Sequence, residues 1–112
     1  MIKTKFDLLP FTIEALEDLK ATEITTLAVE HLTEMMTHMV ITTATSKQHC
    51  RSLGRHLVES AKKLDIEIIG VEGQEDSEWV LVDLGDVVVH IMLEKTRAFY
   101  ELEKLWDISK TA

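Results

Sequence analysis

The chain has little of what staples, breaks or punctuates a fold. Its 112 residues include one cysteine, one proline and four glycines. A lone Cys50 excludes an intrachain disulfide. The scarcity of proline and glycine excludes low-complexity linkers, and no internal repeat is visible. No apolar run approaches the length of a membrane-spanning helix, and the N-terminus shows no secretory hydrophobic region. Met1-Ile2-Lys3-Thr4-Lys5 is also not rich in Arg or Ser. A soluble, cytoplasmic protein is the expectation. Cations are in deficit too, with 12 Lys and Arg against 20 Asp and Glu, for a net charge of −8. Phosphate backbones are bound through Lys and Arg with release of counterions, so direct nucleic-acid binding is not expected. The same charge favours encounter with a basic partner, although it also serves solubility alone.

The length suits one domain over residues 1–112, with residues 1–10 and 108–112 expected as flexible ends. Such a chain buries roughly two thirds of its unfolded surface, enough for a core without disulfide or metal. Pro10 separates a short N-terminal piece from a first helix capped by Thr12, with Ile13, Leu16 and Leu19 on its buried side. Two β-branched runs, Ile24 to Val29 and Met39 to Thr45, read as strands. Between them, His31 to Thr37 reads as a loop or a short helical turn. Thr45 or Ser46 caps the next helix, whose buried stripe is Cys50, Leu53, Leu57, Ala61 and Leu64. Lys47, Arg51, Arg55, Lys62 and Lys63 lie on its other side. Gly54 costs that helix roughly 1 kcal/mol against Ala, which a close helix-to-sheet approach would explain.

Ile66 to Val71 is expected as a third strand, followed by a turn at Glu72-Gly73-Gln74-Glu75-Asp76. Trp79 to Asp83 and Asp86 to Met92 then form a hairpin closed at Gly85. Val80, Val82, Val87, Val89 and Ile91 share a buried parity. The other parity carries Trp79, Leu81, Asp83, then Asp86, Val88, His90 and Met92. A tight turn would set Asp83 opposite Asp86 and Trp79 near His90 or Met92. A last helix carries Phe99, Leu102, Leu105 and Trp106 on one stripe. Helix, strand, strand, helix, three strands and helix imply an α/β domain with a mixed sheet of about five strands flanked by helices.

Few residue groups point to chemistry. Asp83 and Asp86 read as a carboxylate pair for a metal, as a contact for a basic partner, or as turn residues. A divalent cation would need further oxygen ligands that the spacing does not supply. His90 has no Ser or Cys arranged with it as a nucleophile, and Cys50 falls on a buried stripe. His49 and His56 lack the four-residue helical spacing of a zinc pair. Thr43-Ala44-Thr45-Ser46 precedes a helix N-terminus, a place suited to an anion. Together with Asp83, Asp86 and magnesium it gives the alternative reading, a nucleotidyltransferase-like enzyme using a nucleotide. Trp79, Leu84 and Met92 are candidates for an apolar contact with a protein partner.

The run Trp79-Val80-Leu81-Val82-Asp83-Leu84-Gly85-Asp86-Val87-Val88-Val89-His90, with Arg97, Phe99-Tyr100, Leu102-Glu103 and Leu105-Trp106, resembles the ribosomal silencing factors, the Iojap or YbeB-like family. The likeness covers roughly residues 11 to 107. Ala44-Thr45-Ser46 and Glu72-Gly73 are weaker matches, and Ala44 stands where the family tends to have Gly. Thr37, His38 and Met39 depart from an Asp and an aromatic pair. The resemblance implies a nucleotidyltransferase-like α/β fold without the catalytic carboxylates, and hence no enzymatic activity and no cofactor or metal. It implies binding to the large ribosomal subunit at universal ribosomal protein fourteen. A protein there blocks joining of the small subunit and represses translation, with a further role in large-subunit assembly. Trp79, Asp83, Leu84, Asp86 and Met92 would make the partner contacts, with Glu94 and Arg97 beside them. Some relatives form dimers, so a homodimer is a further expectation.

Overall fold

A computed structural model describes residues 7–104. The first six residues, the expected flexible end at 108–112, and Leu105 and Trp106 of the expected last stripe lie outside the described residues. The order is α1 (Leu8–Asp18), β1 (Thr22–Ala28), β2 (His38–Ala44), α2 (Lys47–Lys63), β3 (Gly70–Glu72), β4 (Trp79–Asp83), β5 (Val87–Leu93) and α3 (Glu94–Tyr100). The five strands form one sheet in the order β1-β2-β5-β4-β3. β2 and β5 run parallel, and every other neighbour pair is antiparallel. This is the expected mixed α/β sheet. Among the described residues no helix is long and apolar enough to cross a membrane.

Three elements differ from expectation, each for a local reason. α1 begins before Pro10, because the Asp7 carboxylate accepts from Leu9 N and caps the helix there. Pro is tolerated in the first turn, where the N–H it lacks would have had no partner. Thr12 is therefore inside the helix and buried, its hydroxyl donating back to Leu8 O. The run from Ile66 does not start as a strand, because it completes the end of α2. Asp65 takes a left-handed φ of 58°. Its N–H donates to Lys62 O at 3.1 Å and that of Ile66 to Ala61 O at 2.9 Å, the Schellman pattern. Leu64, expected on the buried stripe, is the C-cap residue and is exposed. Only Gly70–Glu72 pairs with β4. α3 stops at Glu101, whose φ is 47°. The break turns the chain, so Phe99 is exposed while Leu102 packs on the second core cluster, and the two do not share a stripe.

The sheet has two unlike faces. α1 and α2 cover the first, where Leu16, Cys50, Leu53, Leu57 and Ala61 meet Val40, Val80, Val82, Val89 and Ile91. Gly54 sits at the closest approach, since a Cβ there would lie 3.0 Å from Val80 Cγ1. Ser46 caps α2 by accepting from His49 N. On the second face Leu27, Val29, Met39, Ile41 and Met92 form a smaller cluster, packed by Met36, Trp79 and Leu102. Because β5 is central, it is buried on both faces over Val89–Met92. At the β3–β4 turn Gly73 has φ +86°, and a Cβ there would fall 2.0 Å from Trp79 O. No side chain fits at that position.

Candidate functional site: the half-open face of the sheet

Among the described residues no long helix covers the second face, and it carries most of the expected partner residues. Strand register decides where each goes. Trp79 pairs with Met92, Leu81 with His90 and Asp83 with Val88. Asp83 is thus not opposite Asp86. Leu84 and Val87 close the hairpin through a bond from Leu84 N to Val87 O at 2.9 Å, and Gly85 and Asp86 form the tip. Gly85 takes a φ of +91°, a conformation that a residue without Cβ adopts freely.

At one end of this face lies an aromatic group. The Trp79 indole Nε1–H donates to His90 Nδ1 at 2.9 Å. Tyr100 packs across Trp79 with ring centroids 4.7 Å apart, and Phe99 meets Tyr100 edge-on at 4.9 Å. His90 is buried, and desolvation lowers its pKa from 6.5 to about 4. It is therefore neutral at pH 7. Trp79 itself is partly buried, while Phe99 and Tyr100 are exposed.

At the other end lies a depression of about 400 Å³ lined by Thr33, Met35, Met36, Met39, Asp83, Gly85, Val88 and His90. Met35 is the most exposed large apolar side chain described, at 86%. The Asp83 carboxylate accepts from Gly85 N at 2.9 Å and so stiffens the hairpin tip. The Asp86 carbonyl accepts from Thr37 N at 2.7 Å and from His38 N at 3.1 Å, which ties the 30–37 loop to the tip. The Asp86 side chain is left exposed.

Several expected contact residues are placed otherwise. Leu84 and Met92 are 5% and 0% exposed. Leu84 points to the helix-covered face, paired with Val87, and Met92 belongs to the second core cluster. Neither offers apolar surface to a partner in this conformation. Arg97 is an internal latch with a side chain only 10% exposed. It donates to Glu23 O at 2.7 Å, Thr43 Oγ1 at 2.8 Å, Thr25 Oγ1 at 2.9 Å and the Glu103 carboxylate. Its hydrogen bond holds the Glu103 carboxyl below the usual range. Glu94 is exposed at the start of α3. Sequence reasoning missed Met35, Met36 and Tyr100. The signal for the methionines was an apolar cluster, Leu32, Met35 and Met36, inside an otherwise polar loop.

The parts of the enzyme reading do not converge. Asp83 pairs with Val88 near the start of β5, whereas Thr45 and Ser46 follow Ala44, which pairs with Leu93 at its end. Five strand residues, about 17 Å, separate those positions along the sheet. The strand–helix junction is also already capped, since Thr45 N donates to His49 Nδ1 at 2.9 Å and His49 Nε2 meets Leu19 O at 2.7 Å. Among the described residues, no group of three or more His, Cys, Asp or Glu is arranged to hold a metal ion.

This architecture recurs in solved structures. A crystal structure of a Chromobacterium violaceum protein superposes with a TM-score of 0.85 at 41% identity, covering 87% of this chain and 81% of that one. A Bacillus halodurans structure gives 0.82 at 36% identity, covering 88% and 92%. The fold defines a small mixed-sheet α/β domain whose second sheet face is covered by a loop and the segment after α3 rather than by long helices among the described residues. The family model for the ribosomal silencing factor during starvation matches residues 3–112, and the chain belongs to that family. Similar relatives include the ribosomal silencing factor of C. violaceum, 42% identical over 88% of this chain and 80% of that protein. The Haemophilus influenzae factor is 37% identical over 88% and 97%. The Mus musculus protein named for mitochondrial assembly of the ribosomal large subunit is 33% identical over 96% of this chain and 48% of its own length. These names describe regulatory and assembly roles.

Proposed function

We propose that this protein is a cytoplasmic translation repressor. It binds the large ribosomal subunit at universal ribosomal protein fourteen and occupies the space that the small subunit needs. The observation that carries this reading is the half-open sheet face of a family member. That face combines an aromatic group at Trp79, Tyr100 and Phe99 with the Asp83 carboxylate, while Asp86 is exposed at the hairpin tip and Glu94 at the start of α3, on a chain of net charge −8. A few residues carry most of the affinity at protein interfaces, and Trp and Tyr are enriched among them. Carboxylates at the rim steer a basic ribosomal protein and set its orientation. The basic side chains Arg55, Lys62 and Lys63 are exposed on α2, the helix that covers the other face. The acidic balance of the chain limits direct contact with ribosomal RNA. The mouse relative's name supports an accompanying role in large-subunit assembly. A homodimer formed through the same face would compete with the subunit, and concentration-dependent sedimentation reads that competition.

The test is cosedimentation of the purified protein with separated ribosomal subunits, with subunit joining followed on a gradient. Binding to large subunits and fewer joined ribosomes are expected. Binding to neither subunit, or unchanged joining at saturation, would overturn the proposal.

A further inference from the structure

The only polar atom of the Trp79 ring is already engaged inside the protein. The indole N–H is a donor with no acceptor capacity, so at 2.9 Å from His90 Nδ1 it must meet a lone pair on that nitrogen. The imidazole hydrogen then sits on Nε2. His90 is held on the central strand β5, two residues before Met92, the cross-strand partner of Trp79. The acceptor thus lies diagonally across the hairpin from the tryptophan backbone. The rings are inclined at 49° with centroids 5.8 Å apart, and Tyr100 packs on Trp79 at 4.7 Å. Trp79 is therefore held by His90 through its edge and by Tyr100 through its ring.

We infer that His90 is a positioning residue for the partner-binding face: it fixes the Trp79 side chain in one orientation and leaves only the ring surface to a partner. This rests on the proposed ribosomal docking reading for its consequence, but its geometry stands alone. Fixing a large side chain before association removes an ordering cost that binding would otherwise carry. It also sets the chemistry of recognition. A partner meets Trp79 with aliphatic groups or with a cationic side chain over the ring, and an acceptor aimed at the indole nitrogen finds no free donor. A Phe at position 79 would lack the edge contact, and a Leu at position 90 would free the ring to turn.

The experiment begins with the wild-type protein and reads the nitrogen chemical shifts of the His90 ring at pH 7. A pyridine-like Nδ1 with a pyrrole-like Nε2 is expected. A proton on Nδ1 would overturn the inference without any mutation. His90→Leu and His90→Asn are then compared, since the Asn amide oxygen can stand near the position of Nδ1 and accept. In His90→Leu the Trp79 indole N–H resonance, assigned with Trp79→Phe, should move to its solvent-exposed position. Affinity for isolated large subunits should fall about five- to tenfold, the scale of one neutral hydrogen bond. His90→Asn should restore both. An unmoved indole resonance in His90→Leu contradicts the inference, as does an Asn variant that folds but binds no better than the Leu variant. If the wild type binds no large subunit, the docking proposal fails, while the ring nitrogens and the indole resonance still decide whether His90 holds Trp79.

Discussion

The two faces of the sheet are built from the same strands and obey different rules. The face under α1 and α2 is mainly aliphatic, and its side chains come from alternate positions of β4 and β5 and from a helical stripe in α2. The other face mixes a small cluster of Leu, Val, Ile and Met with an imidazole, an indole, a carboxylate and an arginine latch. Its cover is partial and comes from a loop and from the segment after α3. Hydrophobic burial accounts for most of the first face. On the second, hydrogen bonds tie several polar groups near the core: His90 Nδ1 to Trp79, Asp83 to Gly85 N, and Arg97 to Thr25, Thr43 and Glu103. Hydrogen bonds thus hold the side chains of this face in place where packing is thin.

The comparison is broken most severely by a cavity under the helices. Leu53→Ala, fully buried on the covered face, should cost about 3 kcal/mol of stability. It should leave the affinity of the folded protein for large subunits unchanged. Chemical unfolding and cosedimentation check the two halves of that statement.

A comparable effect on the open face should come from pH. The folded-state pKa of His90 is lowered from 6.5 to about 4 by burial, so between those values the unfolded chain binds the extra proton. Stability should therefore rise as pH climbs from 4 to 6.5 and be fully present above. The His90 contribution approaches roughly 3 kcal/mol across that window, at 1.36 kcal/mol per unit. The difference between wild type and His90→Asn in denaturant melts at pH 4.5 and 7 isolates it from the other four histidines.

Arg97→Ala should cost about 2 kcal/mol, because it strips the partners of a mostly buried guanidinium and releases the Glu103 segment. Hydrogen exchange should rise at β1 and after residue 100 before it rises in α2. The smallest change expected is a gain. Asp65 holds a left-handed φ of 58° at the end of α2. Asp65→Gly should add about 0.5–1 kcal/mol, visible as a higher melting temperature with unchanged binding.

The covered face was the more legible in sequence, and the reason is periodicity. Period-two alternation through Val80, Val82, Val87, Val89 and Ile91, and the stripe Cys50, Leu53, Leu57 and Ala61, identified the buried residues directly. Gly54 signalled the close helix-to-sheet approach that the structure contains. Helix ends were less legible, because α1 and α2 close through left-handed Lys20 and Asp65 where Gly would have announced the stop. The open face was legible in composition and opaque in geometry. A two-residue hairpin tip shifts the pairing so that Asp83 meets Val88 and Leu84 joins the buried face. Met92 is an interior residue because β5 is central. The role of Arg97 depended on partners more than fifty positions away in sequence, at Thr43, Thr25 and Glu23.

The central claim is that the half-open face, and not the helix-covered one, meets the large ribosomal subunit. It is tested most directly by the affinity of Trp79→Ala for isolated large subunits, measured beside Arg55→Ala on the outer side of α2. Loss of the aromatic anchor should weaken binding by on the order of 2 kcal/mol, roughly thirtyfold, while Arg55→Ala binds as the wild type does. A folded Trp79→Ala that binds undiminished, or a loss confined to Arg55→Ala, would contradict the account.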